Sequence, residues 1–267
     1  MRYAVNCSLL FNEYPLFERA AAAKAAGFDY VEYWWPWDVP VPSDDQIQEF
    51  IEAIKASGAQ LIGLNFYAGT MPGPGRGVLS SVSRHGEFRD NVPVALAIGR
   101  ELGCRAFNAL YGNRQPEEDP RESDDVALAG LRYAAAEARQ INGTALIEPV
   151  SGPGAETYPL KLADDCFAVI GKLEEAGIDN VGFLCDLYHL ANNGDDLGRV
   201  VDRYGHRVAH VQIADWPGRG QPGTGELPLS QLLARLRARG YDGYVALEYN
   251  PTIPTEQTLT SLPPLML

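Results

Sequence analysis

The chain has 267 residues, of which 46% are hydrophobic, and its formal net charge at pH 7 is −13. This length suits one large core, so we expect a single domain over residues 1–267. The negative charge argues against nucleic-acid binding, which depends on clustered Lys and Arg that neutralise phosphates. The four cysteines include no CxxC pair, no run of 18 apolar residues occurs and no signal peptide is evident, so we predict a cytoplasmic protein without a membrane partner.

Short apolar runs that are typical of buried strands alternate with helical patterns along the chain. The predicted strands cover residues 2–8, 28–34, 59–65 and 105–110, followed by four runs that end at Glu148, Asp186, Gln212 and Glu248. The predicted helices lie at 18–26, 43–57, 87–102, 123–141, 160–176, 195–204 and 228–239, with TEQTLTSL (255–262) left for an eighth. Alternation of this kind predicts a parallel sheet, and eight units favour closure. We therefore predict a single-domain (β/α)8 TIM barrel with a shortened eighth helix.

Four predicted strands end on an oxygen-bearing side chain. These ends are ALIEP at Glu148, VGFLCDLYH at Asp186, RVAHVQIAD at Gln212 and YVALEYN at Glu248. Any one of them alone could be a loop cap or an ion-pair partner. On consecutive strands of a barrel, however, they would meet at the carboxyl edge where active sites form. Three carboxylates there repel one another unless a cation or protons neutralise them, so we expect a divalent metal ion, Mg²⁺ or Mn²⁺, bound by all four.

Two histidines and an arginine lie close to these strand ends in the sequence. His189 follows Asp186 by three residues and is either a substrate hydrogen-bond donor or a cap of the next helix. His210 precedes Gln212 by two residues, so it lies on the same face one layer deeper, where it supports the metal ligands or is a satisfied core residue. Arg219 lies among glycines and suits a substrate carboxylate. The glycines around Arg219 also suggest a phosphate-binding loop. This signal is weak, because the GK[ST] that completes the P-loop spacing does not follow.

Two loop segments also bear on the site. Residues 66–86 form a long Gly/Pro-rich loop, which we expect to be a lid or a specificity element. Its Arg76 and Arg84 are candidate second anchors for an anion, or else solvated surface residues. The WWPW run at 34–37 predicts either an apolar wall of the pocket or a subunit contact, and the latter would make the protein a homo-oligomer.

Several motifs together carry a resemblance to a known family. They are NCSLLFNEYP, GFDYVEYWWPWD, the AG…GRG…FRD segment, LRYAAAEA, LIEPV, CDLYH, GHRVAHVQIADWPGRGQPGTGE and YVALEY. In this combination the chain resembles the hydroxypyruvate isomerase family, within the xylose isomerase-like TIM barrels. The resemblance covers nearly the whole chain in order, and the stretch from HVQIAD to TGE is its most specific part.

The resemblance implies a reaction and assigns roles to residues. It implies a metal held by Glu148, Asp186, Gln212 and Glu248, with the two glutamates also serving as acid and base. The implied reaction interconverts hydroxypyruvate, a small anionic 2-oxo acid, and tartronate semialdehyde through an enediolate. Two departures from the family pattern lie near the expected substrate site. Asn250 stands where family members commonly carry lysine, and the fifth loop reads SGPGAETY in place of an NxxDxPG-type segment.

Other functions remain open at this stage. The same metal and glutamates suit an isomerase or 3-epimerase of a longer 2-oxo acid, such as 2-oxotetronate, or of a keto sugar. A more remote alternative is a metal-dependent hydrolase resembling the apurinic endonucleases of this barrel superfamily, which use several zinc ions and many histidines, whereas this chain has four histidines. A third is a barrel that binds a ligand without turning it over, against which the intact Glu148 and Glu248 argue.

Overall fold

The computed structural model describes residues 1–71, 73 and 75–259, and these form a closed barrel of eight parallel strands. The strands are β1 (Arg2–Asn6), β2 (Tyr30–Tyr33), β3 (Gln60–Asn65), β4 (Ala106–Asn108), β5 (Thr144–Ile147), β6 (Val181–Asp186), β7 (Val208–Ile213) and β8 (Tyr244–Leu247). The α-helices are α1 (Arg19–Ala25), α2 (Asp44–Ser57), α3 (His85–Leu102), α4 (Pro120–Arg139), α5 (Ala163–Glu175), α6 (Leu187–Asn192), α7 (Leu197–Tyr204), α8 (Leu229–Ala238) and α9 (Thr255–Leu259). The predicted (β/α)8 barrel is therefore confirmed.

Strand pairing brings the predicted strand ends to one edge of the barrel. Each strand pairs in parallel with the next, and β1 pairs with β8 to close the ring. Asp186 on β6 is in register with Gln212 on β7, and Ile213 on β7 is in register with Leu247 on β8. Parallel strands in register end together, so the residues that follow β5 and β8 lie at this same edge.

Side chains cap the N-termini of α2 and α4, and a glycine in the left-handed region ends α2. Ser43 caps α2 by accepting a hydrogen bond from the N–H of Gln46 at 3.3 Å, and Gly58 ends that helix with a φ of 72°. Asp119 caps α4 by accepting from the N–H groups of Arg121 and Glu122. Such caps fix where each helix starts relative to its strand. None of the helices in the described residues is both long enough and apolar enough to cross a membrane.

Aromatic packing fixes α3 against the barrel wall. The Phe66 ring stacks on Phe107 with centroids 5.6 Å apart and meets the edge of Phe88 at 5.4 Å. Gly99 of α3 makes this approach feasible, since a Cβ there would lie 2.3 Å from Cζ of Phe107. The dense packing leaves the strand ends little freedom to move, which is what a precise site requires.

The structure differs from the predicted elements in the number of helices and in several boundaries, of which the following bear on the site and on the chain end. The sixth unit contains two helices, α6 and α7, where one was expected, because Asp186 caps a short helix directly at the end of β6. Helix α3 begins at His85, two residues earlier than predicted. The shortened eighth helix is α9, Thr255–Leu259, and the predicted continuation over residues 260–262 lies outside the described residues.

Candidate active site

The four predicted metal ligands lie together at the carboxyl edge of the barrel. Asp186 is the last residue of β6 and Gln212 is the fifth of β7, while Glu148 and Glu248 directly follow β5 and β8. All four are buried, with exposed fractions between 1% and 6%. Buried carboxylates need partners or protons, because removing a bare charge from water costs several kcal/mol. The partners of each acid therefore indicate what the site can hold.

Glu148 and Asp186 form one side of the site. Glu148 Oε1 accepts a hydrogen bond from Asn108 Nδ2 at 2.6 Å. Asp186 Oδ1 accepts from the N–H groups of Tyr188 and His189 at 2.8 and 3.1 Å, and so caps α6. Ligand atoms of Glu148, Asp186 and His189 all lie within 4.8 Å of one another. One cation could therefore contact both carboxylates.

Burial and mutual repulsion raise the pKa values of these acids. Burial raises the pKa of Glu148 to about 8, and the charge of Asp186 adds to the increase. Burial likewise raises the pKa of Asp186 to about 6, opposed by the nearby Arg219. The pKa of Glu248 is raised well above its ordinary value by burial, again against the effect of Arg219. The site therefore holds protons at neutral pH unless a cation takes their place.

Glu248 is held by a cation and by an indole. Arg219 Nη2 lies 2.6 Å from Glu248 Oε1 and 3.8 Å from Asp186 Oδ2. Trp34 Nε1 donates to the same Glu248 Oε1 at 3.0 Å. The guanidinium predicted to bind a substrate carboxylate thus already contacts two protein carboxylates. Trp34 of the WWPW run lies at the site, which favours the pocket wall over the subunit contact for this residue.

The loop after β7 gives Arg219 its position. Asp215 accepts hydrogen bonds from the N–H groups of Gly223 and Leu227 at 2.8 and 3.0 Å, which folds the loop back on itself. The backbone N–H of Asn250 donates to the carbonyl of Arg219 at 2.8 Å. Arg219 has a φ of 56°, in the left-handed region, which costs about 1–3 kcal/mol for a non-glycine residue. The strained backbone of Arg219 is therefore held by the fold of its own loop and by the backbone N–H of Asn250.

His189 is oriented as a hydrogen-bond donor. Its Nδ1 accepts from the backbone N–H of Ser151 at 3.1 Å and lies 2.8 Å from the Ser151 hydroxyl. Burial lowers the pKa of His189 well below its ordinary value, so the ring is neutral. A neutral ring that accepts at Nδ1 carries its proton on Nε2, which lies 3.6 Å from Asp186 Oδ2. This geometry fits the predicted substrate donor, whereas as a metal ligand through Nε2 the ring would need the other tautomer.

His210 lies below the site and contacts an acid that the sequence reasoning missed. His210 Nε2 is 2.7 Å from Glu32 Oε2, and Glu32 Oε1 accepts from Gln212 Nε2 at 2.6 Å. The signal for Glu32 was a carboxylate inside an otherwise apolar strand, FDYVEYW. Asn108, which donates to Glu148, was missed as well, and Trp34 was expected only as part of an apolar wall or a subunit contact and not as a donor to Glu248. Their partners are distant in sequence, and only the closed barrel brings them together.

The donor set fits a divalent cation. Among the described residues, the buried polar atoms that lack a hydrogen-bond partner include Gln212 Oε1 and Glu248 Oε2. Both atoms belong to the predicted ligand set. Buried polar atoms in native proteins are nearly always paired, so an unpaired amide oxygen and carboxylate oxygen indicate a missing partner. Hard oxygen ligands of this kind are those that Mg²⁺ and Mn²⁺ prefer.

The two arginines of the 66–86 loop differ in their surroundings. Arg84 forms an ion pair with Glu87 at 2.6 Å and is thereby occupied. Arg76 donates to the carbonyl of Pro153, and its buried Nε has no partner. Burial lowers the pKa of Arg76, and the charge of Arg219 adds to this effect. The charge of Arg76 in turn contributes to the lowered pKa of His189. Arg76 is therefore the arginine of this loop that lies towards the site.

Comparisons with known proteins agree with this architecture. A family model described as xylose isomerase-like TIM barrel matches residues 20–263. The chain is 51% identical over 266 residues to a Streptomyces coelicolor protein provisionally named hydroxypyruvate isomerase, which covers 98% of this chain and 95% of that protein. It is 30% identical over 271 residues to the hydroxypyruvate isomerase of Escherichia coli K12, with 99% of each chain covered.

A more distant relative and a solved structure complete the comparison. The chain is 29% identical over 250 residues to a 2-oxo-tetronate isomerase of Haemophilus influenzae, covering 94% of this chain and 93% of that protein. A Brucella melitensis crystal structure described as AP endonuclease, family 2, superposes with a TM-score of 0.86 at 31% identity, covering 97% of this chain and 96% of that one. The chain therefore belongs to the xylose isomerase-like TIM barrel family and, within it, to the hydroxypyruvate isomerase family.

Proposed function

We propose that this protein is a divalent-metal-dependent isomerase that interconverts hydroxypyruvate and tartronate semialdehyde. Isomerase activity is supported by the relatives, whose names are hydroxypyruvate isomerase and 2-oxo-tetronate isomerase. The observation that carries the proposal is the set of buried oxygens at the barrel edge, two of which, Gln212 Oε1 and Glu248 Oε2, have no partner among the described residues. Such a set suits a cation and the oxygens of a small 2-oxo acid.

The reaction needs two proton-transfer groups, and the site offers Glu148 and Glu248. One carboxylate takes a proton from the hydroxymethyl carbon, and the electron pair moves into a new carbon–carbon double bond while the carbonyl oxygen gains negative charge. The other, protonated, returns a proton to the former carbonyl carbon. The hydroxyl proton passes to the neighbouring oxygen, so that an aldehyde and a hydroxyl result. General acid–base catalysis works best with a carboxyl whose pKa lies near the working pH, and in the metal-free site burial raises the pKa of Glu148 to about 8.

The remaining residues orient and shield the reacting atoms. A bound divalent cation would supply positive charge at the two substrate oxygens on which negative charge develops. Glu148, Asp186, Gln212 and Glu248 would hold it. His189 offers a neutral Nε2–H to a substrate oxygen, because its Nδ1 is engaged by Ser151. Trp34 and Arg219 hold Glu248 Oε1, which leaves Oε2 for chemistry.

The guanidinium of Arg76, whose buried Nε has no hydrogen-bond partner, favours an anionic substrate. Arg219 contacts Glu248 and Asp186, so it has less capacity for a second carboxylate. Arg76 lies close enough to Arg219 for the two charges to oppose each other. An anion beside two like charges relieves their repulsion. A neutral keto sugar would not relieve this repulsion, and a 2-oxo acid would.

A longer 2-oxo acid is the second candidate. The 29% identity to a 2-oxo-tetronate isomerase over 94% of the chain supports it, and the chemistry would be the same. The departures at Asn250 and in the fifth loop lie where the end of a longer substrate would reach. A nuclease is not favoured, because the net charge is −13 and His189 is engaged at Nδ1 by Ser151.

A substrate panel tests the proposal. The protein, freed of metal with a chelator and then given Mg²⁺, Mn²⁺ or Co²⁺, is assayed with hydroxypyruvate, 2-oxotetronate and ketohexoses. Turnover of hydroxypyruvate that requires a metal, together with deuterium uptake from solvent at the substrate carbon, is expected. Full activity after removal of the metal, or conversion of ketohexoses alone, would contradict it.

A further inference from the structure

Glu32 lies at the centre of a buried hydrogen-bond network directly beneath the candidate metal site. It belongs to β2 and is 3% exposed. Its Oε1 accepts from Gln212 Nε2 at 2.6 Å and from Asn6 Nδ2 at 2.9 Å, and its Oε2 lies 2.7 Å from His210 Nε2. The proposed proton transfers do not use this carboxylate, yet side chains from β1 and β7 both converge on it.

The two ends of the Gln212 amide are chemically different. The NH₂ end can only donate and the oxygen end can only accept. Because Nε2 donates to Glu32, Oε1 faces away from it, and this is the buried oxygen that has no partner among the described residues. If the amide turned over, its oxygen would face the Glu32 oxygen and its NH₂ would face the cation. Both contacts would be repulsive, so an ionised Glu32 permits one orientation only.

The surrounding residues hold Glu32 in this role. Asn6 Oδ1 accepts from the backbone N–H of Ser8 at 3.0 Å, which obliges Asn6 Nδ2 to face Glu32. Gly63 on β3 leaves room for the carboxylate, since a Cβ there would lie 3.2 Å from Glu32 Oε2. The Ser8 N–H thus orients the Asn6 amide, and the Asn6 amide in turn donates to Glu32. The Gln212 amide donates to the same carboxylate and is the part of this network that reaches the metal site.

We infer that Glu32 is a positioning residue that fixes the amide of Gln212 with its oxygen towards the divalent cation. The inference rests on the metal-dependent function proposed above. Hydrogen bonds that orient metal ligands are typically worth 10–100-fold in metal affinity. Glu32 would therefore set the affinity for an oxygen-preferring cation without touching either the cation or the substrate.

Two other roles for Glu32 make different predictions. If Glu32 acted only through its negative charge, any carboxylate at position 32 would serve and an amide would not. If it only held the strands together, its replacement would lower the thermal unfolding midpoint without changing metal affinity. Positioning by a hydrogen bond requires an acceptor oxygen at the right distance from Gln212 Nε2, whether or not that oxygen is charged.

Mn²⁺ binding by Glu32→Gln and Glu32→Asp separates these roles. The dissociation constant is measured from the electron paramagnetic resonance signal of free Mn²⁺, with the thermal unfolding midpoint measured alongside. Glutamine keeps an acceptor for Gln212, and its NH₂ group can donate to His210 Nε2 when that nitrogen carries no proton, so the affinity should stay within about threefold of the original. Aspartate keeps the charge but retracts the oxygen from the 2.6 Å contact, so affinity should fall about 10–100-fold. Glu175→Gln, on the exposed end of α5, is the control.

The outcomes are distinct. Wild-type affinity in Glu32→Asp would overturn the inference, and together with a weak Glu32→Gln it would assign the effect to charge. A Glu32→Gln variant as weak as Glu32→Asp would also overturn the inference, because glutamine keeps the acceptor oxygen. Glu32→Ala replaces Glu32→Asp should the latter not fold, with the same expected loss. Failure of the unaltered protein to bind Mn²⁺ would instead refute the metal-dependent function.

Discussion

Replacing Glu248 by glutamine tests the proposed proton transfer with little change in shape. Glu248 Oε1 accepts from Trp34 at 3.0 Å and from Arg219 at 2.6 Å, and a glutamine oxygen can accept both hydrogen bonds. The change therefore falls on Oε2, which has no partner among the described residues and becomes an NH₂ group that can neither take a proton nor bind a cation. Turnover should fall at least about 10²-fold, which corresponds to roughly 2.7 kcal/mol in the activation barrier.

The same variant has a stability signature that separates lost chemistry from lost fold. Burial raises the pKa of Glu248, so the folded protein holds this proton more tightly than the unfolded chain does. The stability that this provides is present at low pH and is lost as the pH rises towards the folded-state pKa. Glutamine does not titrate, so the metal-free Glu248→Gln protein should lose less stability between pH 5 and pH 8 than the unaltered protein.

The assay follows both turnover and exchange of the substrate C–H with deuterated solvent by NMR. Glu175→Gln, which removes an exposed carboxylate from α5, is the matched control and should retain full activity. If Glu248→Gln keeps near-normal turnover and exchange, Glu248 is not a proton-transfer group. If the thermal unfolding midpoint of Glu248→Gln at pH 8 is lower than that of the unaltered protein, then burial and the neighbouring carboxylates do not raise the pKa of Glu248 as described.

Three further expectations concern the metal, the substrate and the core. Burial raises the pKa of Glu148 to about 8, so Mn²⁺ binding at pH 7 should release about one proton or more per site. The release is measured by titration calorimetry in buffers of different ionisation enthalpy, and its absence would contradict the raised pKa. Arg76→Ala should raise the KM for hydroxypyruvate at least about tenfold, the scale of a lost charge-assisted contact. Arg84→Ala is the control and should leave the KM unchanged, because the Arg84 guanidinium is paired with Glu87. Equal effects of the two substitutions would mean that Arg76 does not contact the substrate. Gly99→Ala should destabilise the fold by about 1–3 kcal/mol in urea unfolding, since its Cβ would lie 2.3 Å from Phe107, while Gly171→Ala on open α5 surface should not.

The barrel and its main acids could be predicted because both follow from local patterns. Strand-helix alternation and the strand-end rule placed Glu148, Asp186, Gln212 and Glu248 at one edge without knowledge of any contact. His210 was placed one layer deeper by the period of two along a strand. These inferences need only the chain order and the geometry of parallel strands, which the sequence contains.

The contacts that orient these residues could not be predicted, because they depend on closure and on loop conformation. Glu32 meets Gln212 across 180 positions of sequence, and a carboxylate within a strand gave no sign of its partner. Arg219 was expected to face substrate, but its left-handed backbone and the loop that holds it turn the guanidinium towards Glu248. The orientation of His189 depends on Ser151 in another loop.

The side-chain contacts of β2 and of the residue after it with β7 and the end of β8 have a consequence for biosynthesis. Trp34 and Glu32 are translated early, whereas their partners Glu248 and Gln212 emerge from the ribosome more than 170 residues later. A nascent chain without β8 lacks Glu248, the carboxylate to which Trp34 donates, and its barrel is not closed. It therefore cannot present the complete set of proposed metal ligands. Under the proposed metal-dependent function, the cation is acquired after β8 has been translated, and metal supplied during refolding should be captured only once the ring has closed.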